Sequence, residues 1–363
     1  MQPYEELEVR WAEWNGLDPK GMVACSSGTA ALHLALEALQ FPPQSEVLTS
    51  DFNMIAVPRA ISMAGLTPVL VDCDERLLMD RKIIVRELLN PRVKVVLVVH
   101  IYGRKIQLDD PGFDDPPDEK VYLIEDLAEA HGVRPNPTTD VACWSFYKNK
   151  IISGEEGGAV WFRDPAHARP ARQLRSLGFT DAHDFMHVPR GHNYRMSNLH
   201  AKPILDSIAK YGIRQYGRKM GVHDDKSAGR LQIQEWYDAA CPDEWRMPAR
   251  DAVWVYDLRL RGLADEIPSP GEAAWDRKDL MGVVRALNAE GIEARASFAP
   301  MHWQEEYKGY RLVAGREGPM TQAERAAMEV LYLPVAPGHT TEADCYRAYD
   351  VLRRITDGRT GAV

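Results

Sequence analysis

Apolar and polar positions change rhythm twice along this chain, and the changes divide it. The opening, MQPYEELEVRWAEW, spaces apolar residues at helical intervals among charges, which predicts an amino-terminal helix. From Met22 to about Phe162, short β-branched runs alternate with helical patterns, as in a mostly parallel sheet covered by helices. GMVAC reads as a strand and SSGTAALHLALEAL as the helix after it, its start marked by Ser26, Ser27 and Thr29. EVLTS, TPVLVD, VKVVLVVH, VYLIED and GAVWF read as further strands.

A long helical stretch opens at Asn198 and continues through AKPILDSIAKYG toward Tyr237, with few breakers and many charges. Beyond Pro242 the pattern returns to α/β: a strand in VWVYDLRL, a helix over LMGVVRALNAEG, a strand near IEARASF and a last helix from Thr341 to about Ile355. The expected organisation is a large domain over residues 1–212, an interdomain helix over 213–240 and a small C-terminal α/β domain over 241–363. No internal repeat appears, and RPNPTTD is a local loop.

Composition narrows the partners. A 363-residue chain with 45% hydrophobic residues has ample material for a core, and a net charge of −9 offers no basic footprint for nucleic acid or anionic lipid. Cys25, Cys73, Cys143, Cys241 and Cys345 are odd in number and form no C-x-x-C pair, which fits core residues in a reducing compartment. With neither a signal peptide nor a membrane span in the pattern, a cytoplasmic protein is expected.

Four segments carry residues suited to chemistry. In SFYKNKIISGEEGGAVWF, lysines sit between a strand end and a glycine-rich turn, and burial there would depress an ammonium enough to make it a nucleophile. LIEDLAEAHG ends an apolar strand in Glu125 and Asp126, at the strand end where parallel sheets bind ligands; capping of the next turn is the plainer use. SSGTAAL presents a helix amino end, with Gly28 allowing close approach, to an anion such as phosphate, or is simply a well-capped helix. His183, His187 and His192 have neither the spacing nor the glutamate of a helical metal site, so no metal is expected.

Taken in order, SSGTAAL, AISMAGLTPVLVDCD, VVHIYGR, IEDLAEAHG, SFYKNK with EGG, GHNYRMSN, GIEARASFAPMH and LPVAPGHTTEAD resemble the DegT/DnrJ/EryC1 family of sugar aminotransferases, which depend on pyridoxal 5′-phosphate (PLP). The resemblance runs from about Tyr4 to about Ile355. It implies an aspartate-aminotransferase-like fold (PLP-dependent transferase fold type I): a large domain with a mostly parallel sheet plus a small C-terminal α/β domain. It places the Schiff-base lysine at Lys150 rather than Lys148, the partner of the pyridine nitrogen at Asp126, and Glu129 near the ring hydroxyl. Gly28, Thr29 and Ser145 match phosphate contacts, and Asn193 matches an asparagine that reaches the phosphate from the other subunit, which implies a homodimer with shared sites. Met54 stands where the family sets an aromatic over the ring, with Phe52 nearby, and the family's amino-terminal extension is largely missing. His100, Tyr102, His192, Arg295 and His302 lie in motifs that line the substrate side in relatives.

The implied reaction moves an amino group from glutamate or glutamine to a keto substrate, in the family typically a nucleotide-linked keto sugar, with the cofactor passing through pyridoxamine phosphate (PMP). Family members that dehydrate carry histidine in place of the lysine, so Lys150 argues for transamination. Two other readings are a cyclitol, amino acid or modified nucleobase as substrate, and a PLP-free binding or regulatory protein on the same scaffold.

Overall fold

A computed structural model describes residues 1–108, 120–180, 182, 185–211, 225–263, 277–315 and 321–360. Seven strands of the amino-terminal half, β1 (Met22–Cys25), β2 (Glu46–Ser50), β3 (Thr67–Val71), β4 (Val93–Val99), β5 (Tyr122–Asp126), β6 (Val141–Ser145) and β7 (Gly158–Phe162), and the short β10 (Leu312–Val313) make one eight-stranded sheet. Its order is β1-β7-β6-β5-β4-β2-β3-β10, and β7 alone runs against its neighbours. The strands read as apolar runs rather than alternations because both faces are covered, so nearly every strand residue is buried. Strand β6, VACWS, is not among the strands that the pattern predicted; its burial beside β5 comes from tertiary packing.

The covering helices are α1 (Pro3–Asn15), α2 (Gly28–Ala38), α3 (Ala56–Met63), α4 (Arg81–Glu87), α5 (Ala168–Arg175) and α6 (Asn198–Tyr211). Ser27 caps α2, its Oγ accepting the Ala30 N–H at 3.1 Å. The long helical stretch expected from Asn198 is realised as α6 and α7 (Asp225–Ala240), and residues 212–224 between them lie outside the described residues. Among the described residues no helix is long and apolar enough to cross a membrane.

A second sheet of three antiparallel strands, β8 (Tyr256–Arg259), β11 (Val330–Leu333) and β9 (Arg295–Ala296), carries its own core with α7, α8 (Lys278–Ala289) and α10 (Glu342–Thr360). Tyr237, Val283, Leu287, Leu331 and Leu352 belong to that core. Helix α9 (Gln322–Glu329) packs instead toward the large sheet, where its Ala323 and Ala326 join the main core and its first N–H groups bond Asp72. The carboxy-terminal third is therefore shared between the two sheets.

Buried ion pairs join them. Arg104, just past β4, forks onto Asp257 of β8 with both bonds at 2.9 Å, and Arg250 reaches the same carboxylate at 2.5 Å. Burial alone would raise the Asp257 carboxyl, but the two guanidinium groups hold it below the usual carboxylate range. Beside this fork, Gly103 takes φ +80°, and a Cβ there would stand 1.9 Å from the Ala252 carbonyl oxygen. Its own carbonyl accepts the Asp251 and Ala252 N–H groups, both at 2.9 Å.

His302 makes a second joint. Its Nδ1 meets Asp51 Oδ2 at 2.7 Å and its Nε2 meets Glu324 Oε1 at 3.2 Å, so each ring nitrogen faces a carboxylate. Burial opposes a charged ring, yet these two partners carry its pKa up to about 9.

Asp257→Ala leaves two buried guanidinium groups facing each other, and should cost about 3–5 kcal/mol in denaturant unfolding. A loss below about 1 kcal/mol would show that the fork does not join the sheets. The His302 contribution should be complete below the free-imidazole pKa and disappear as pH rises through about 9, a loss of up to about 3 kcal/mol. Urea unfolding of wild type and His302→Asn across that window measures it; parallel curves for the two proteins would refute it.

Candidate active site

Because β4, β5 and β6 run parallel, their carboxyl ends deliver His100, Asp126 and Ser145 to one edge of the sheet. Lys150 follows Ser145 in a turn pinned by backbone bonds: the Lys150 N–H donates to Tyr147 O and the Gly154 N–H to Phe146 O. His131 braces the same turn, its Nδ1 accepting the Ile152 N–H at 3.1 Å; burial drives this imidazole down to about 3, so it stays neutral.

The Lys150 ammonium is nearly enclosed. Its Nζ lies 3.9 Å from Glu129 Oε1, beyond hydrogen-bond reach, and 3.9 Å from the centre of the Trp254 ring. Trp254 is fixed in turn by its Nε1, which donates to Asn149 O at 2.8 Å. Desolvation lowers the lysine pKa, and the charges of Glu129 and Asp126 resist that shift. Burial lifts Glu129 to about 7 against the pull of Lys150, while its Oε2 takes the Tyr102 N–H at 2.8 Å. Asp126 is likewise raised by burial, with the Ala128 N–H, Lys150 and His100 pulling the other way.

Gly28 opens α2 against the end of β6, where a Cβ on it would fall 2.7 Å from Ser145 Cβ. Only glycine lets the helix amino end come so near that strand end, which sets the first turn of α2 against Ser145. The GHNYR segment docks beside it through Ser26, whose N–H donates to Tyr194 O at 2.8 Å. Asn193 is exposed between these contacts, and Met54 is 49% exposed near the start of α3, its sulfur accepting the Ala56 N–H.

A cavity of about 560 Å³ opens at Lys150 and is lined also by Lys148, Arg230, Trp254, Arg295 and Tyr332. Of the five residues expected on the substrate side, Arg295 lines this cavity. His100 is wholly buried and bonded to Glu125 at 2.6 Å; because its Nδ1 accepts the Ile106 N–H, Nε2 carries the proton toward the carboxylate. The Tyr102 ring is buried, stacked on Phe298. His192 pairs with Glu37, and His302 is taken up by Asp51 and Glu324. His187 bonds Leu177 O, and His183 lies outside the described residues.

Sequence reasoning passed over Trp254, His131 and Arg230. Trp254 was hidden in VWVYDLRL, which reads as a plain strand. Arg230 lies near the start of α7 and spends one nitrogen on the carbonyls of Val253 and Trp254. Among the described residues no carboxylate pairs with it, and burial lowers it to about 10.

Comparison with known proteins agrees with this geometry. The family model described as "DegT/DnrJ/EryC1/StrS aminotransferase family" matches residues 3–219. GDP-perosamine synthase of Caulobacter vibrioides is 31% identical, the alignment covering 96% of this chain and 89% of the relative. UDP-N-acetyl-3-dehydro-alpha-D-glucosamine 3-aminotransferase of Acidithiobacillus ferrooxidans is 30% identical over 93% of this chain and 84% of its own length. Among solved structures, the aminotransferase TlmJ from Streptoalloteichus hindustanus superposes with a TM-score of 0.77 at 26% identity, covering 99% of this chain and 92% of that one. A lysine and two carboxylates at the carboxyl ends of a mostly parallel sheet, together with these similarities, show that the chain belongs to the DegT/DnrJ/EryC1/StrS aminotransferase family.

Proposed function

We propose that this enzyme moves an amino group from glutamate or glutamine to the ketone of a nucleotide-linked sugar, using PLP held at Lys150. The observation that carries the reading is the state of that lysine: buried, its amine out of hydrogen-bond reach of Glu129, and facing a cavity lined by further cations. The residues fit the cofactor. The Lys150 amine, depressed by burial, can form the covalent link; Asp126 suits the protonated pyridine nitrogen and Glu129 the ring hydroxyl; Gly28, Thr29 and Ser145 suit the phosphate. When bound, PLP supplies the electron sink that makes the substrate Cα proton removable.

The protein's own part is positioning and proton transfer. With the cofactor bound, the Lys150 amine would be the group to move a proton from one carbon to another, and its lowered pKa favours the neutral form that this task needs. Trp254 covers one side of the amine and limits water there. Lys148, Arg230 and Arg295 against Glu293 make the cavity favour anions, as the diphosphate of a nucleotide sugar or the carboxylates of glutamate require. The exposure of Asn193 and of Met54 supports roles for the first at the site of a second copy of the chain and for the second over the ring face.

Purified protein with PLP should show a visible absorption band that Lys150→Ala abolishes, and glutamate should bleach it. A colourless protein that ignores PLP would instead favour a binding protein on this scaffold. Asp126→Asn should lower kcat by about 10²–10³-fold while the protein still binds PLP. Arg295→Ala should raise KM for a nucleotide-linked keto sugar by about tenfold with kcat little changed. An unchanged KM would remove Arg295 from the substrate site.

A further inference from the structure

One cluster of ionisable side chains stands apart from the lysine cavity. On α2, His33 and Glu37 lie one turn apart on the same face, and the GHNYR segment brings His192 against them. His192 Nε2 meets Glu37 Oε2 at 2.5 Å, and His33 Nε2 stands 3.8 Å from Glu37 Oε1. One ligand atom from each of the three lies within 4.8 Å of the others, and none of the three lines the lysine cavity.

We propose that His33, Glu37 and His192 bind a divalent transition-metal ion of the zinc class, leaving one coordination position to water. Two imidazoles and a carboxylate are a ligand set that such ions favour. The geometry is close to what they need. Tetrahedral bonds of about 2.1 Å set ligand atoms about 3.4 Å apart, so shifts on the order of 1 Å in side chains complete the site.

The second observation is His33 itself. Its ring is 2% exposed, and its buried Nε2 faces Glu37 with no well-formed hydrogen bond, a Met63 backbone acceptor standing beside the ring. A buried nitrogen so poorly satisfied is costly unless something fills its lone pair. Its other nitrogen lies 3.1 Å from the Tyr194 hydroxyl, so a proton on Nδ1 directed there leaves Nε2 free to ligate. Arg190 is the competing cation, with Nη1 3.6 Å from Glu37 Oε1, and the Tyr194 ring stacks on His192. An ion here would tie the helix whose first turn lies against Ser145 to the segment that carries Asn193.

The test uses untagged, PLP-loaded protein stripped of metal and titrated with Co²⁺, followed by competition with Zn²⁺. The expected result is the intense visible absorption of tetrahedral Co²⁺, saturating at one equivalent per chain and erased by Zn²⁺. His192→Ala and Glu37→Gln should each weaken binding by about tenfold or more, whereas His187→Ala should leave it unchanged. Circular dichroism and the PLP absorption band report whether each variant is folded. Co²⁺ that keeps the weak colour of its octahedral hydrate would overturn the proposal, as would binding of equal strength in folded His192→Ala and Glu37→Gln. Both readouts are independent of the amino-transfer reaction.

Discussion

The cost of taking charge out of water governs this site. An ammonium and two carboxylates, Lys150, Asp126 and Glu129, sit nearly dry at the end of a sheet whose other contributions are mostly apolar. Each is destabilised in its charged form by burial; Lys150 and each carboxylate partly offset that for one another, while the like charge of Asp126 raises Glu129 further. None of the rescue is complete, because Lys150 and Glu129 stop short of a hydrogen bond. That unsatisfied remainder is what the proposed covalent role of the amine would draw on. The surroundings maintain the distance: Tyr102 holds Glu129 by its backbone, Trp254 blocks the other side, and His131 fixes the turn that carries the lysine.

Much of this was legible in the chain because it depends on local signals. The apolar runs ending in Asp126 and the glycine-bounded lysine turn announce strand ends and a tight loop in a few residues each. The eight motifs in order then supplied the family, and with it the proposed assignment of Lys150 rather than Lys148. What stayed hidden depends on distant partners. Trp254 reaches Lys150 across some hundred positions, and Arg104 meets Asp257 across 153. His192 meets Glu37 across 155, a separation at which spacing rules for metal ligands are silent. Strand β6 was missed for a related reason: VACWS is a strand because β5 and β7 flank it.

The five residues expected on the substrate side show how a motif leaves a side chain's contacts open. Arg295 lines the cavity, whereas His100, His192 and His302 each bond a carboxylate and Tyr102 lies in an aromatic stack. Their common trait is support. His100 with Glu125 steadies the ends of β4 and β5, and Tyr102 orients Glu129, so they shape the pocket from behind its wall.

The Gly103–Ala252 contact has a mechanical consequence. Two backbone bonds and a side chain reduced to hydrogen fasten the loop after β4 to the stretch leading into the three-stranded sheet, and Trp254 sits two residues beyond the seam. The indole over the amine is thereby anchored close to a fixed point of the main chain.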